Sequence, residues 1–344
     1  TQAGNVAVLN KVILPVIRRV MPTVIANEIV GVQPMTGPVG QIHTLRVRYS
    51  DTVENTTAGQ EALSPFNIAR AYSGNETEAT PAGNSTSALE GAAGNRMSIQ
   101  ILKQTVEAKT RKLSARWTFE AAQDAQSQHG IDIEAEIMAA LAQEITAEID
   151  QEVLGSLRSL APTEETYDQA NVSGTATFVG DEHAALAVLI NRTANKIASR
   201  TRRGAGNWAV VSPTALTILQ SATTSAFART TEGTFEAPTN TKFVGTLNGA
   251  MRIYVDAYKS DTDDNNQVLI GYKGTSEADA AAFYCPYIPL MSSGVVLDPA
   301  TFEPVVGFLT RYGYVELSNT ASSLGNAADY LGKVAITSAN VSFK

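Results

Sequence analysis

Hydrophobic and polar positions change rhythm several times along the chain, and each change predicts an element. Val8, Leu9, Val12, Ile13, Val16, Ile17 and Val20 recur at helical spacing, with a kink expected at Pro15. A shorter apolar group follows at Val24, Ile25, Ile29 and Val30, and Gly37-Pro38 marks a turn. From Ile42 to Tyr49 the pattern alternates, with Ile42, Thr44, Arg46 and Arg48 on one side of a strand and His43, Leu45, Val47 and Tyr49 on the other. Met97, Ile99 and Ile101 alternate in the same way with Ser98 and Gln100. The stretch 50–95 between these strands is rich in Thr, Ala, Gly, Asn and Glu, and Arg70 is its only basic residue. Its few large apolar side chains bury too little to offset its own ordering entropy. The two strands therefore read as an extended hairpin arm, whose long polar excursion is either disordered or ordered by a neighbouring molecule.

The strongest helical signal comes next. Trp117 to Gln128 suits a short helix closed by His129-Gly130, with Gly130 at the left-handed cap position and Asp132 placed to cap the helix that follows. In that helix Ile133, Ile137, Leu141, Ile145, Ile149, Val153 and Leu157 recur every four residues. A stripe of this length implies about 25 residues, roughly 40 Å at 1.5 Å per residue. Glu134, Glu136, Glu144, Glu148, Asp150 and Glu152 occupy much of its other surface. Residues 161–180 read as a linker with turns, and Asp181 to Ser199 as a helix carrying Leu186, Leu189, Ile190 and Ile197. Arg200 to Gly206 is a basic turn, Asn207 to Ser212 a buried strand, and Pro213 opens another helix. Met251 to Tyr258 and Val268 to Tyr272 flank a polar turn and read as a β-hairpin. Ala282 to Leu290, Phe302 to Glu316 and Gly332 to Phe343 are strand-like, and no internal repeat is present. The mixture places the chain in the α+β class.

Composition changes this picture in one respect. The 344 residues are 44% hydrophobic, enough for a substantial core, but only 17% are charged. Soluble chains average about 25%, so much of this surface is suited to meet other protein. The formal net charge of −8 argues against a global basic footprint for nucleic acid, although an acidic wall is compatible with enclosed DNA. Cys285 is the only cysteine, which excludes an intrachain disulfide. No apolar run approaches the roughly 20 residues of a membrane-spanning helix.

Candidate chemistry is sparse. His43, His129 and His183 lie far apart in sequence, and no paired metal-ligand motif is present, so neither a metal site nor a catalytic histidine is expected. His129 reads as a helix-terminal residue facing the helix dipole, and Cys285, within Phe-Tyr-Cys-Pro-Tyr, as a small buried apolar residue. Gly204-Ala-Gly206 precedes a strand instead of following one, which is the wrong context for a dinucleotide fingerprint. Asp261, Asp263 and Asn265 echo a calcium loop, but Asn266 stands where Gly is needed and Tyr272 where a bidentate Glu is needed. No catalytic residue and no cofactor is expected. The remaining features are mechanical: an arm, a hairpin, a long strut helix and a large α/β remainder.

Several motifs of this chain occur in an order that resembles a known family. Gly31-Val-Gln-Pro-Met35, Pro38, Gly40-Gln41 and Leu45-Arg46 come first, then Val106-Glu-Ala-Lys-Thr-Arg111 and Phe119-Glu-Ala-Ala-Gln-Asp124. Ala135-Glu136, Glu144-Ile145, Glu148-Ile149 and Glu152-Val153 follow on the long helix. Arg203-Gly204, Tyr254-Val-Asp256, Gly271-Tyr-Lys-Gly274, Pro286-Tyr287 and Thr310-Arg-Tyr-Gly313 complete the series. Together they resemble the major capsid proteins of T-even-type myoviruses.

The resemblance implies the Hong Kong 97 phage capsid fold and a structural subunit of an icosahedral head around phage double-stranded DNA. It implies an N-terminal arm at 1–40, an extended loop at 41–115, a peripheral domain with its spine helix at 116–180, a mainly axial domain at 181–280 and a return to the peripheral domain at 281–344. It also implies hexameric and pentameric capsomers, and vertex, portal, scaffold and maturation-protease partners, with decoration proteins left open. Assembly would take place in the bacterial cytoplasm and the product would be the virion. A start at Thr1 without methionine is compatible with proteolytic maturation. Arg111, Arg116, Arg200, Arg202 and Arg203 are the candidate inter-subunit cations, with Glu54, Glu61 and Glu76 as carboxylate partners. Covalent lysine–asparagine crosslinks between subunits are not expected. Two alternatives stand beside this reading: a cellular nanocompartment shell of the same fold, distinguished by the particle's contents, and a soluble α/β enzyme, distinguished by a small oligomer with a ligand in a cleft.

Overall fold

The computed structural model describes residues 25–54, 56–62, 71–74, 82–171, 179–221, 227–229, 243–248, 250–256, 258, 266–317 and 327–337. The helix expected within 5–20, the acidic ladder at 261–265 and the last strand-like residues lie outside this set. The helices are α1 (Ala26–Ile29), α2 (Thr86–Leu89), α3 (Phe119–His129), α4 (Ile133–Leu160), α5 (Val179–Thr201) and α6 (Pro213–Ser221). The strands are β1 (Gly31–Val32), β2 (Val39–Tyr49), β3 (Met97–Glu107), β4 (Lys109–Arg116), β5 (Thr163–Tyr167), β6 (Trp208–Val211), β7 (Phe227–Arg229) and β8 (Phe243–Leu247). They continue with β9 (Met251–Val255), β10 (Gln267–Gly271), β11 (Ala282–Ser292), β12 (Val296–Leu297), β13 (Pro304–Glu316) and β14 (Leu331–Ile336). The described residues divide into two compact units: those within 110–149 and 288–311 form the first, and those within 25–109, 150–287 and 312–337 the second.

The second unit is organised around a seven-stranded sheet ordered β5-β14-β10-β6-β9-β8-β7. β6 is buried along its whole length because alternate residues face two different layers. Ala209 and Val211 pack with Leu186, Ile190 and Ile197 of α5 and Leu216 and Leu219 of α6. Trp208 and Val210 pack with Val153, Leu154 and Leu157 of α4 and Ile25 and Ile29 of α1. Trp208 also sets a steric condition on its neighbour, since a Cβ on Gly271 would drive into its indole ring.

This topology corrects the expected hairpin of Met251–Tyr258 with Val268–Tyr272. β9 and β10 do not pair; β6 lies between them, parallel to β9 and antiparallel to β10. A strand apolar on both faces gains most in the middle of a sheet, and here that gain outweighs the short connection. The expected linker at 161–180 also contains a strand, the edge strand β5, parallel to β14. Its sequence hides it because Glu164 and Glu165 are engaged by cations of α5, with Lys196 Nζ 2.6 Å and Arg192 Nε 3.2 Å from Glu165.

In the first unit α3 is capped at both ends. The Thr118 hydroxyl accepts the N–H of Ala121, and Gly130 sits left-handed at φ 66°. The carboxylate of Asp132 accepts the N–H of Glu134 at the start of α4, as its sequence position predicts. Ile137, Leu141, Ile145 and Ile149 of α4 then pack on Leu113, Trp117, Val306 and Phe308. A four-residue repeat advances about 40° per step on a helix of 3.6 residues per turn. The stripe therefore winds, and its later members Val153 and Leu157 serve the other unit's core.

Candidate assembly surfaces

β2 and β3 form the expected hairpin, paired antiparallel over eleven positions from Val39↔Glu107 to Tyr49↔Met97. Directly opposed residues share a face, so the register Leu45↔Ile101 and Val47↔Ile99 adds the apolar side of one strand to that of the other. The opposite face of the hairpin is rooted at the body, where Val106 and Ile42 join Phe283, Cys285 and Val315. Towards the hairpin's far end Tyr49 is buried with Ala62 and Tyr72, the two tyrosine rings 4.5 Å apart between centroids. Short of that end the Leu45 face is bare: Leu45, Ile99 and Ile101 are 64%, 68% and 65% exposed. A two-stranded ribbon alone is marginal in water, and contiguous exposed apolar surface of this kind marks an interaction site.

The described parts of the excursion between the two strands are more structured than its composition suggests. Besides the tyrosine pair, the Asp51 carboxylate accepts from both the backbone and the guanidinium of Arg96, which holds it below the usual carboxylate range.

A strap, residues 25–35, is stitched to the second unit. Asp150 Oδ1 accepts the N–H groups of Ile25 and Ala26 at 2.8 and 2.6 Å. Lys273 Nζ donates to the Val30 carbonyl at 3.1 Å, and the Val32 N–H donates to Glu277 Oε2 at 2.8 Å. The N–H groups of Gln33 and Met35 donate to the carbonyls of Tyr284 and Pro286. Beneath the strap Arg158 and Asp256 form a buried ion pair at 2.6 Å. Burial pushes the Asp150 carboxyl up from its ordinary value, and the two N–H bonds oppose that shift.

The first unit presents apolar surface of its own. A cavity of about 490 Å³ is lined by Lys112, Leu113, Met291, Ser293, Phe308 and Leu309 among others. Val295, Val296, Leu297 and Phe302 are exposed. Phe302 is held left-handed at φ 58°, a conformation a bulky residue rarely adopts, and it contacts Phe119.

The candidate inter-subunit residues do not gather into one site. Arg111 pairs with Glu148 at 2.8 Å, Arg116 with Glu303 at 3.7 Å and Arg203 with Asp279 at 3.0 Å, all within the chain. Arg200 is engaged by Glu164, and Glu61 by the buried Arg46 at 2.9 Å. Arg202 and Glu54 are exposed and have left-handed backbones, at φ 49° and 46°. Glu76 lies outside the described residues. Sequence reasoning missed Asp150, Arg158 and Asp256, because their significance comes from residues 98 to 125 positions away.

Cys285 is buried, and burial pushes its thiol up. His183 is buried with Nδ1 bonded to the Ser221 hydroxyl. Among the described residues no cluster of His, Cys, Asp and Glu is arranged to hold a metal ion. Among those residues no helix is long and apolar enough to cross a membrane.

Comparison with known proteins gives a consistent result. The family described as major capsid protein Gp23 matches residues 6–336. A major capsid protein of Vibrio phage KVP40 is 30% identical, over 94% of this chain and 80% of its own. That of Enterobacteria phage T4 is also 30% identical, over 90% of this chain and 76% of its own. Among solved structures, the capsid of Myoviridae phage XM1 aligns with a TM-score of 0.56 at 10% identity, covering 97% of this chain and 99% of the other. A chain from Mycobacterium phage Che8 aligns at 0.53 and 14% identity, covering 96% and 99%. These alignments are consistent with the Hong Kong 97 capsid fold.

Proposed function

The chain belongs to the Gp23 major capsid protein family, a family of structural head-shell proteins, and from that premise we propose how it builds the shell and what the shell holds. Copies join into hexameric and pentameric capsomers. The apolar face of the β2–β3 hairpin carries this reading, since it is bare on the single chain and is completed by apolar surface of a neighbouring copy. The enclosed cargo is phage double-stranded DNA, held without sequence-specific contacts by an acidic chain of net charge −8. No step of this function requires catalysis or a cofactor. Vertex, portal, scaffold and maturation-protease proteins complete the head, which is assembled in the bacterial cytoplasm.

The proposed division assigns 1–40 to the arm, 41–115 to the extended loop, 116–180 to the peripheral domain, 181–280 to the axial domain and 281–344 to the return. Arg116, Arg202, Arg203 and Glu54 are the candidate polar contacts to neighbours. Arg111, Arg116, Arg200, Arg203 and Glu61 would reach a neighbour by extending the intrachain pairs they already make. Electron microscopy of the native protein after size-exclusion chromatography tests the reading. Closed shells around nucleic acid are expected. Shells packed with protein, or a small oligomer that persists with the natural assembly partners present, would overturn it.

A further inference from the structure

The strap 25–35 poses a question that packing does not answer. Ile25, Ile29 and Val30 are buried against Val153, Leu154 and Leu157, and that apolar contact alone would hold the segment to the sheet. Yet a carboxylate 1% exposed lies at its first residues. Burying a charge is costly unless specific bonds offset it. The bonds Asp150 makes are to the backbone: Oδ1 accepts from Ile25 and Ala26, while Oδ2 has no hydrogen-bond partner among the described residues. α1 is four residues long and its N-cap, Ile25, has no side-chain acceptor. Asp150 therefore supplies from 125 residues away the cap that the local sequence lacks. α4 carries it, and on the same helix Gln151, the next residue, and Arg158, about two turns on, hold Asp256 just beyond β9, at 3.2 and 2.6 Å. An apolar contact is tolerant of sliding and rotation; two charge-assisted bonds to successive N–H groups are not.

We propose that Asp150 is a positioning residue that fixes the register of the strap 25–35 on the second unit, and that correct engagement of neighbouring copies depends on this clasp. The second half of the statement rests on the head-shell reading; the first does not. At the residue level, Asp150→Ala removes the acceptor and Asp150→Asn keeps one oxygen in its place. Amide exchange of the unassembled full-length subunit should speed up on the order of tenfold across 25–32 in Asp150→Ala, with β6 and β10 unchanged. Asp150→Asn should restore most of the protection. Unchanged exchange at 25–32 would overturn the clasp, as would equal acceleration throughout the second unit, which would make Asp150 a general core determinant. Should Asp150→Ala not fold, Asp150→Asn still tests the proposal, because a neutral acceptor should loosen 25–32 partially and selectively. Shell formation is then compared by electron microscopy with wild type alongside. Wild-type shells with open or irregular Asp150→Ala products are expected. Normal shells from a subunit with a loosened strap would overturn the role in engagement, and a wild type without shells would count against the head-shell reading instead.

Discussion

Asp150 also makes a prediction about pH whose sign follows from its surroundings. Burial is the largest influence on its carboxyl and raises its pKa; Asp256 adds to this, and the N–H groups of Ala26 and Ile25 and the Arg158 guanidinium oppose it. The folded subunit thus takes up this proton more readily than the unfolded chain. The group's contribution to stability is fullest below the ordinary carboxylate value of 3.8 and declines as pH rises through the raised one. Asp150→Asn removes the titration while keeping an acceptor, so it should gain on wild type between pH 4 and pH 7. Urea unfolding of the unassembled subunit at both values measures this, and a difference that is constant or runs the other way would contradict it. At this scale the sequence was legible where the partner is local: Asp132, Gly130 and His129 stand where helix-end chemistry requires. It was illegible where the partner is remote. Asp150 looks like one more acid on a solvated helix face until Ile25 is placed over it.

At the scale of elements, the hairpin separates folding from association. Ile101 packs little on its own chain, being 65% exposed, so Ile101→Lys should change the unfolding free energy of the subunit by less than about 0.5 kcal/mol. The same change puts a charge in the middle of the bare face, and the yield of closed shells should fall by at least about tenfold, since a like-sized desolvation penalty recurs at every copy. Circular dichroism and particle counting on the same preparation distinguish the two effects; a variant that unfolds, or one that assembles normally, would refute the assignment. Period-two alternation made β2 and β3 readable, while the register between them came only with the structure. The partnership of β9 and β10 was not readable in this way. Alternation shows which side of a strand is apolar but not which strand lies beside it, and β6 took the place between them because both of its faces are buried. β5 was hidden for a different reason: its glutamates, apparently linker-like, are paired with cations of a helix 27 residues or more further on.

For the whole molecule, ordered weak motifs carried the family, and one of them, Gly271-Tyr-Lys-Gly274, begins where packing leaves no room for a side chain, at Gly271 beside Trp208. The polar stretch around 50–95 carried few such constraints, and its internal contacts were correspondingly unreadable. The order of strands in the large sheet has a consequence for synthesis. β14, residues 331–336, lies between β5 and β10 and hydrogen-bonds to both, although β5 was made more than 150 residues earlier. A nascent chain therefore cannot close this sheet before residues 331–336 have emerged, however soon β6, β9 and β10 do. Over the 60 residues from Gly271 to Leu331, about 3–12 s at roughly 5–20 residues per second, the apolar faces of those strands must wait for a partner not yet made. A ribosome-stalled chain ending before Leu331 should accordingly be cut rapidly by protease within 163–271, and one extended far enough to expose Ile336 should resist. The synthesis of β14 then acts as a timer, so that the large sheet can close only once Ile336 has been made.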